Sequence, residues 1–288
     1  MLANAWNSNL TSTSGRPWPA CKIFTPFSNH SRAHIKQQLL SSRRCRGERS
    51  LACTATVSRD REVYRGVYGE WEVEESDVKE VLGYRAGISV AAAALLLESS
   101  IALGAADGTA LQFLREWQNA LCLVGAGGLG VSLVLIHIYV APLKRFLQLL
   151  WAAGVMGGIS IMASQSQPLT EYVASHPGAV WFVGPFFAAV TGVAFKEGVC
   201  YGKPECAVLF FITPALLLGH LSGMLPESAE RTLLLAFLVT SLIFAGRKYT
   251  QPIKDDIGDK SVFQFLAMSE EQQQELLLQM EQEKLREE

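Results

Sequence analysis

Apolar residues are gathered in the middle of this chain, and charged residues nearly vanish there for stretches as long as a bilayer is thick. The apolar runs are Ala86 to Ala106, Ala120 to Ala141, Phe146 to Ser164, Ala179 to Phe195, Ala207 to Leu225 and Ser228 to Gly246. Each has about the 17–25 residues a helix needs to cross a membrane. None shows the polar stripe of a soluble amphipathic helix. The pattern predicts an all-α membrane protein, a polytopic bundle of about six transmembrane helices, with the lipid bilayer as its solvent.

The flanks are polar. Between Met1 and Leu51 the chain is rich in Ser and Thr, and it carries seven Lys and Arg residues and no acid before Glu48. It also lacks the compact apolar run of a secretory signal. This composition predicts a disordered chloroplast transit peptide over residues 1–53, with cleavage near Cys53. The expected organisation continues with a stromal N-terminal region over 54–84, the six-helix domain over 85–248 and a stromal acidic tail over 249–288.

Overall composition conceals these divisions. Hydrophobic residues make up 49 % of the 288 and the formal net charge is −2, values that alone fit a soluble protein. The distribution of Lys and Arg between the spans says more, because these residues resist translocation. One side collects Lys79, Arg85, Lys144, Arg145, Lys196, Lys203, Arg247, Lys248 and Lys254; the other has Arg115 and Arg231. This bias of nine against two predicts that both termini face the stroma; it does not by itself separate thylakoid from inner envelope, of which the thylakoid is the location expected here.

Candidate chemistry is sparse. Gly125-Ala-Gly127-Gly-Leu-Gly130 fits a dinucleotide-binding pattern, yet no Asp or Glu occurs between Glu116 and Glu171 to hold a ribose. The glycines sit inside an uninterrupted apolar span and are expected to pack helices. Glycine and alanine pairs at four-residue spacing, such as Gly154 with Gly158 and Gly219 with Gly223, suggest the same use. Pro185 and Pro214 predict kinks in the fourth and fifth spans.

Three ionisable side chains fall in or near the spans and must face the bundle interior or water: Glu98, His137 and His220. They are the candidate intramembrane polar sites. The stretch Phe195 to Cys206 reads as a polar loop between the fourth and fifth spans, and Lys196, Glu197, Cys200 and Cys206 are its candidate contact residues. Its spacing matches no zinc pattern. No nucleophile and base stand at recognisable spacing, so no enzymatic activity, catalytic residue, metal or cofactor is expected, and no nucleic-acid motif is present.

Outside the spans, the alternating aromatics of Tyr64 to Trp71 suit a short strand or an interfacial anchor, and Ser76 or Asp77 can cap the helix that follows. Ser269-Glu-Glu-Gln272 is a capping box opening a helix with Leu276, Leu277, Met280 and Leu285. That acidic helix and the 195–206 loop are the candidate surfaces for a partner in a membrane-protein complex.

At Tyr64-Arg-Gly, Val81-Leu-Gly-Tyr-Arg85, Lys196-Glu-Gly-Val-Cys-Tyr-Gly202 and Gly219-His220-Leu, over residues 60 to 250, the chain resembles a family of uncharacterised integral membrane proteins shared by cyanobacteria and chloroplasts. The resemblance implies a photosynthetic membrane and carries no activity or site residues with it. Together these readings suggest a non-enzymatic membrane protein that assists assembly or maintenance of membrane complexes. The alternative is a small transporter or channel for an ion or small solute, using Glu98, His137 and His220.

Overall fold

A computed structural model describes residues 62–103 and 115–287; the expected transit peptide lies outside them. The described chain opens with a hairpin of β1 (Val63–Arg65) and β2 (Glu70–Glu72), antiparallel with Tyr64 opposite Trp71. Six long helices follow: α1 (Glu75–Ala102), α2 (Gln118–Leu135), α3 (Ala141–Ser164), α5 (Val180–Tyr201), α6 (Pro204–Ser222) and α7 (Glu227–Arg247). A short helix, α4 (Leu169–Ser175), separates α3 from α5, and the tail forms α8 (Ile253–Ile257), α9 (Lys260–Ala267) and α10 (Glu270–Glu287).

Among the described residues, six helices are long and apolar enough to cross a membrane. Their outward surfaces carry large apolar side chains such as Leu149, Trp181 and Phe211, each more than two-thirds exposed. Such a surface is stable facing lipid tails and unstable in water. The protein is a multi-pass integral membrane protein.

The spans close into a ring. α1 packs on α2, α2 on α3, α3 on α5, α5 on α6, α6 on α7, and α7 returns to α1. Small residues allow the tightest crossings. A Cβ at Gly128 would lie 2.7 Å from the Gly87 carbonyl oxygen, and one at Gly154 would lie 2.3 Å from the Phe186 backbone nitrogen. The Ser132 hydroxyl donates to the Tyr84 carbonyl at 2.9 Å, tying α1 to α2. The glycines of 125–130 are therefore helical, with Gly125 and Gly128 turned to α1 and Gly130 to the Trp151 ring. Gly223 has a different use from the packing contact expected of it: with φ of 64° it ends α6 in a left-handed cap.

Several boundaries differ from the apolar pattern. α1 begins at Glu75, about three turns before its apolar run, because the Asp77 carboxylate accepts from the Glu74 backbone N–H at 2.8 Å and closes a capping box there. Glu74 is thus the cap, ahead of the expected Ser76 or Asp77. α2 ends at Leu135, short of the expected Ala141. Pro142 and the β-branched Ile136, Ile138 and Val140 favour extended backbone in that connection. Pro185 and Pro214 are both accommodated inside continuous helices.

The tail folds back on the face that carries the start of α1 and the end of α7, called here the terminal face. The Val67 backbone N–H donates to Asp259 at 2.7 Å, Tyr68 stacks on Phe265, and Lys260 Nζ reaches Asp77 at 2.8 Å and Glu74 at 3.1 Å. Burial opposes the Lys260 charge, but the hydrogen bonds to Asp77 and Glu74 outweigh it and hold that ammonium above its ordinary pKa. α10 then departs, with Ser269 and Gln272 capping each other's backbone N–H groups. Leu277, Leu278 and Leu285 on it are exposed.

Candidate functional site

Two polar clusters sit at opposite ends of the ring. The first closes the terminal face. α5 and α6 are joined by only Gly202 and Lys203, with Gly202 at φ of 61° as the turn, so most of the expected 195–206 loop is helix. Only glycine adopts that backbone without strain. The tight turn faces the end of α5 and the start of α6 toward α7. Lys196, Glu197 and Cys206 are consequently buried inside the bundle, where a surface loop would have exposed them. Cys200 lies in the last turn of α5.

Glu197 is fully buried and central to this cluster. It accepts from the Tyr84 hydroxyl and from Lys196 Nζ, each at 3.1 Å. Lys248 Nζ bridges Glu197 at 2.6 Å and Asp256 at 2.7 Å. Asp256 in turn accepts from Arg85 Nε at 2.7 Å, and the same guanidinium donates to the Gln251 and Pro252 carbonyls at 3.0 and 3.1 Å. Lys203 adds an ion pair to Glu197 at 3.6 Å and a hydrogen bond to Gln251. Burial, then the neighbouring Lys248 charge, hold the Lys203 ammonium below its usual range against the pull of Glu197 and Asp256.

The network has four cations, Arg85, Lys196, Lys203 and Lys248, around two carboxylates. It contains no nucleophile paired with a base. What it does is mechanical: it fixes the segment from Gln251 to Asp256 across the end of the ring. Most of its members drew attention in the sequence only as loop charge. Asp256 drew none, since an acid after Pro252 in a polar tail carries no signal of burial.

The second cluster faces the ring's interior. The six helices surround a cavity of about 540 Å³, lined overwhelmingly by apolar side chains. Glu98 and His220 both line it; His137 does not. The lining on α7 runs from Glu227 to Phe244, about 25 Å along a helix axis at 1.5 Å per residue. The cavity thus runs along most of the length of α7.

Its ionisable groups lie away from the terminal face; Thr213 and Ser241, which also line it, donate their hydroxyls to the Leu209 and Phe237 carbonyls of their own helices. Glu98 is 4 % exposed, and its hydrogen-bonding partner among the described residues is the Cys122 thiol, which donates at 2.6 Å. His220 joins Glu230 through Nδ1 and the Val173 carbonyl through Nε2 at 2.9 Å. Arg231 pairs with Glu227 at 2.7 Å. α4 lies across this end. The Gln118 amide donates to Thr170 at 2.9 Å, and the Leu169 N–H donates to the Asn119 carbonyl oxygen, also at 2.9 Å.

His137 sits at the other end, in the extended connection after α2. Its Nε2 is 3.3 Å from Glu80, and Phe263 packs edge-on to the ring. Burial lowers its pKa below the ordinary value, with Glu80 opposing. The three ionisable candidates therefore separate, two to the cavity and one to the terminal face. Cys122 and Glu230 complete the cavity's polar end; neither shares a motif with its partner, being 24 and 10 residues away from it in sequence. Among the described residues, no three His, Cys, Asp or Glu side chains gather as metal ligands.

Residues 131–265 match the model of a family described as uncharacterized integral membrane protein (DUF2301). The match covers the end of α2, α3 to α8 and most of α9, including Lys196 to Gly202 and Gly219 to Leu221, and does not reach the Tyr64 and Val81 motifs. No curated protein and no solved structure matches the chain.

Proposed function

We propose that this chain is a chloroplast membrane protein whose six-helix ring takes up a small molecule in its interior and exchanges it across or within the bilayer. One observation carries the reading: the cavity that brings Glu98 and His220 together among apolar walls. A volume of about 540 Å³ falls in the range of about 300–1,000 Å³ typical of small-molecule sites, and a few placed polar groups in an apolar wall are their usual chemistry. An ion path would need polar groups along its whole length, whereas the ionisable groups sit at one end and the hydroxyls of Thr213 and Ser241 donate to their own helices. The family match is compatible with this reading and assigns no activity.

The plastid location rests on the composition of residues 1–53, stromal termini on the bias of Lys and Arg, and a thylakoid setting on the resemblance to a family of photosynthetic membranes. A second reading, assistance to assembly of membrane complexes, is favoured by one feature. α10 carries exposed Leu277, Leu278 and Leu285 on an acidic helix, a surface suited to a groove on a partner.

Gentle purification followed by mass spectrometry of retained molecules separates the two. The cavity reading expects one small molecule held by the intact protein and lost by Leu216→Trp, which fills the lining. Retention of bulk lipid only, with a protein partner lost when residues 269–288 are removed, would overturn it in favour of assembly. A reporter fused to the first sixty residues should enter chloroplasts; delivery to mitochondria refutes the location.

A further inference from the structure

We infer that the cavity takes an amphiphile with an apolar body and a hydrogen-bond-donating head, an ammonium or hydroxyl group, and that the head binds at Glu98. The inference rests on the cavity reading above and adds the ligand's class and direction.

Charge decides the head. Three carboxyls line the polar end of the cavity, Glu98, Glu227 and Glu230. Glu227 is matched by Arg231, and Glu230 has the imidazole of His220 as its partner. Among the described residues Glu98 has no cation; its partner there is the Cys122 thiol, a weak donor. A carboxyl buried in the membrane with so little compensation is costly. A donating head supplies the missing partner. An anionic head would enter beside an unmatched carboxyl, with both charges desolvated, and is rejected.

The lining decides the direction. From Glu98 toward the terminal face, the cavity wall on α1 is Leu95, Ala94, Ala92, Ala91 and Ile88, all apolar. At 1.5 Å per residue the ten positions from Glu98 to Ile88 span about 15 Å, the length of an extended chain of a dozen carbons. The apolar body lies along this wall and ends short of the Arg85 and Glu197 network, which closes the terminal face.

The test uses the full chain in phosphatidylcholine nanodiscs and three photoreactive probes with the same twelve-carbon diazirine chain and different heads: an amine, an alcohol and a carboxylic acid. Labelled peptides are mapped by mass spectrometry, with folding checked by slow thiol-dye labelling. The amine and alcohol should label α1 and α2 cavity positions, exceeding the acid by about 10- to 100-fold, the preference expected of one hydrogen bond to a charged group. Glu98→Gln should remove most of the amine's advantage while leaving the alcohol bound. Glu98→Asp, which keeps the charge, should preserve the ranking and covers the case in which the Gln variant fails to fold. Equal labelling by all three heads, or an amine advantage unchanged in Glu98→Gln, overturns the donor-head inference and leaves the cavity reading standing. Absence of cavity labelling by every probe overturns both.

Discussion

Replacing Asp256 with Ala removes one of only two carboxylates from a network of four cations. Arg85 and Asp256 have side chains 5 % and 1 % exposed, with their closest atoms 2.6 Å apart, and Lys248 is 1 % exposed. Lys248 would keep Glu197, but Arg85 would keep only the Gln251 and Pro252 carbonyls. Removing one partner of a buried pair costs about 3–5 kcal/mol, because the remaining charge stays desolvated. For a chain of this size each kcal/mol lowers the melting temperature by about 2–4 °C, giving an expected loss of about 6–20 °C. Cys122 is half-buried and Cys206 fully buried, so a thiol-reactive fluorescent dye follows unfolding of the solubilised protein on heating. Asp256→Asn, which keeps an acceptor for Arg85 and loses the charge, should lie between Ala and wild type. Arg85→Met alone should also destabilise. The double variant should lose at least about 1 kcal/mol less than the two single losses added. A shift of the Ala variant under about 2 °C, or strict additivity, would refute the pairing.

Three further outcomes follow from the geometry. Gly128→Ala should destabilise by about 1–3 kcal/mol, since its Cβ would press on the Gly87 carbonyl; the neighbouring Gly127→Ala, with nothing within 4 Å, should be neutral or up to about 1 kcal/mol stabilising. Equal effects in the same melting assay would show that the motif is not used for packing as described. His137, held below its ordinary value of 6.5, stays neutral in the folded protein where the unfolded chain takes a proton, so stability is full above 6.5 and is lost as pH falls through the folded value. His137→Gln should flatten the melting temperature between about pH 7 and 5, and an unchanged slope would exclude this group as the cause. In isolated thylakoids with the stromal surface outward, protease should clip α10 and leave the ring intact; protection of α10 would reverse the proposed orientation.

The apolar runs alone determined six helices in a membrane, because a span must satisfy every backbone group internally and be apolar over a bilayer's thickness, whatever its neighbours do. The packing use of the glycines at 125–130 was also legible, since they lie inside an uninterrupted apolar span. Boundaries were less so: α2 stops at Leu135 and moves His137 out of the interior, a local contest among Pro142, β-branched residues and helix propensity that hydropathy does not weigh. The ring order, and with it the cavity, came only from tertiary structure. Hydropathy says that Glu98 must avoid lipid, yet the identity of Cys122 as its partner depends on how α1 crosses α2. Likewise Lys196, Arg85 and Lys248 read as loop charge that marks one side of a membrane, but the two-residue turn at Gly202 and the return of Asp256 bring them together. Charge in a sequence reports which side a loop occupies; that Arg85 meets Asp256 and Lys248 meets Glu197 is decided by the fold, because those partners are far apart along the chain.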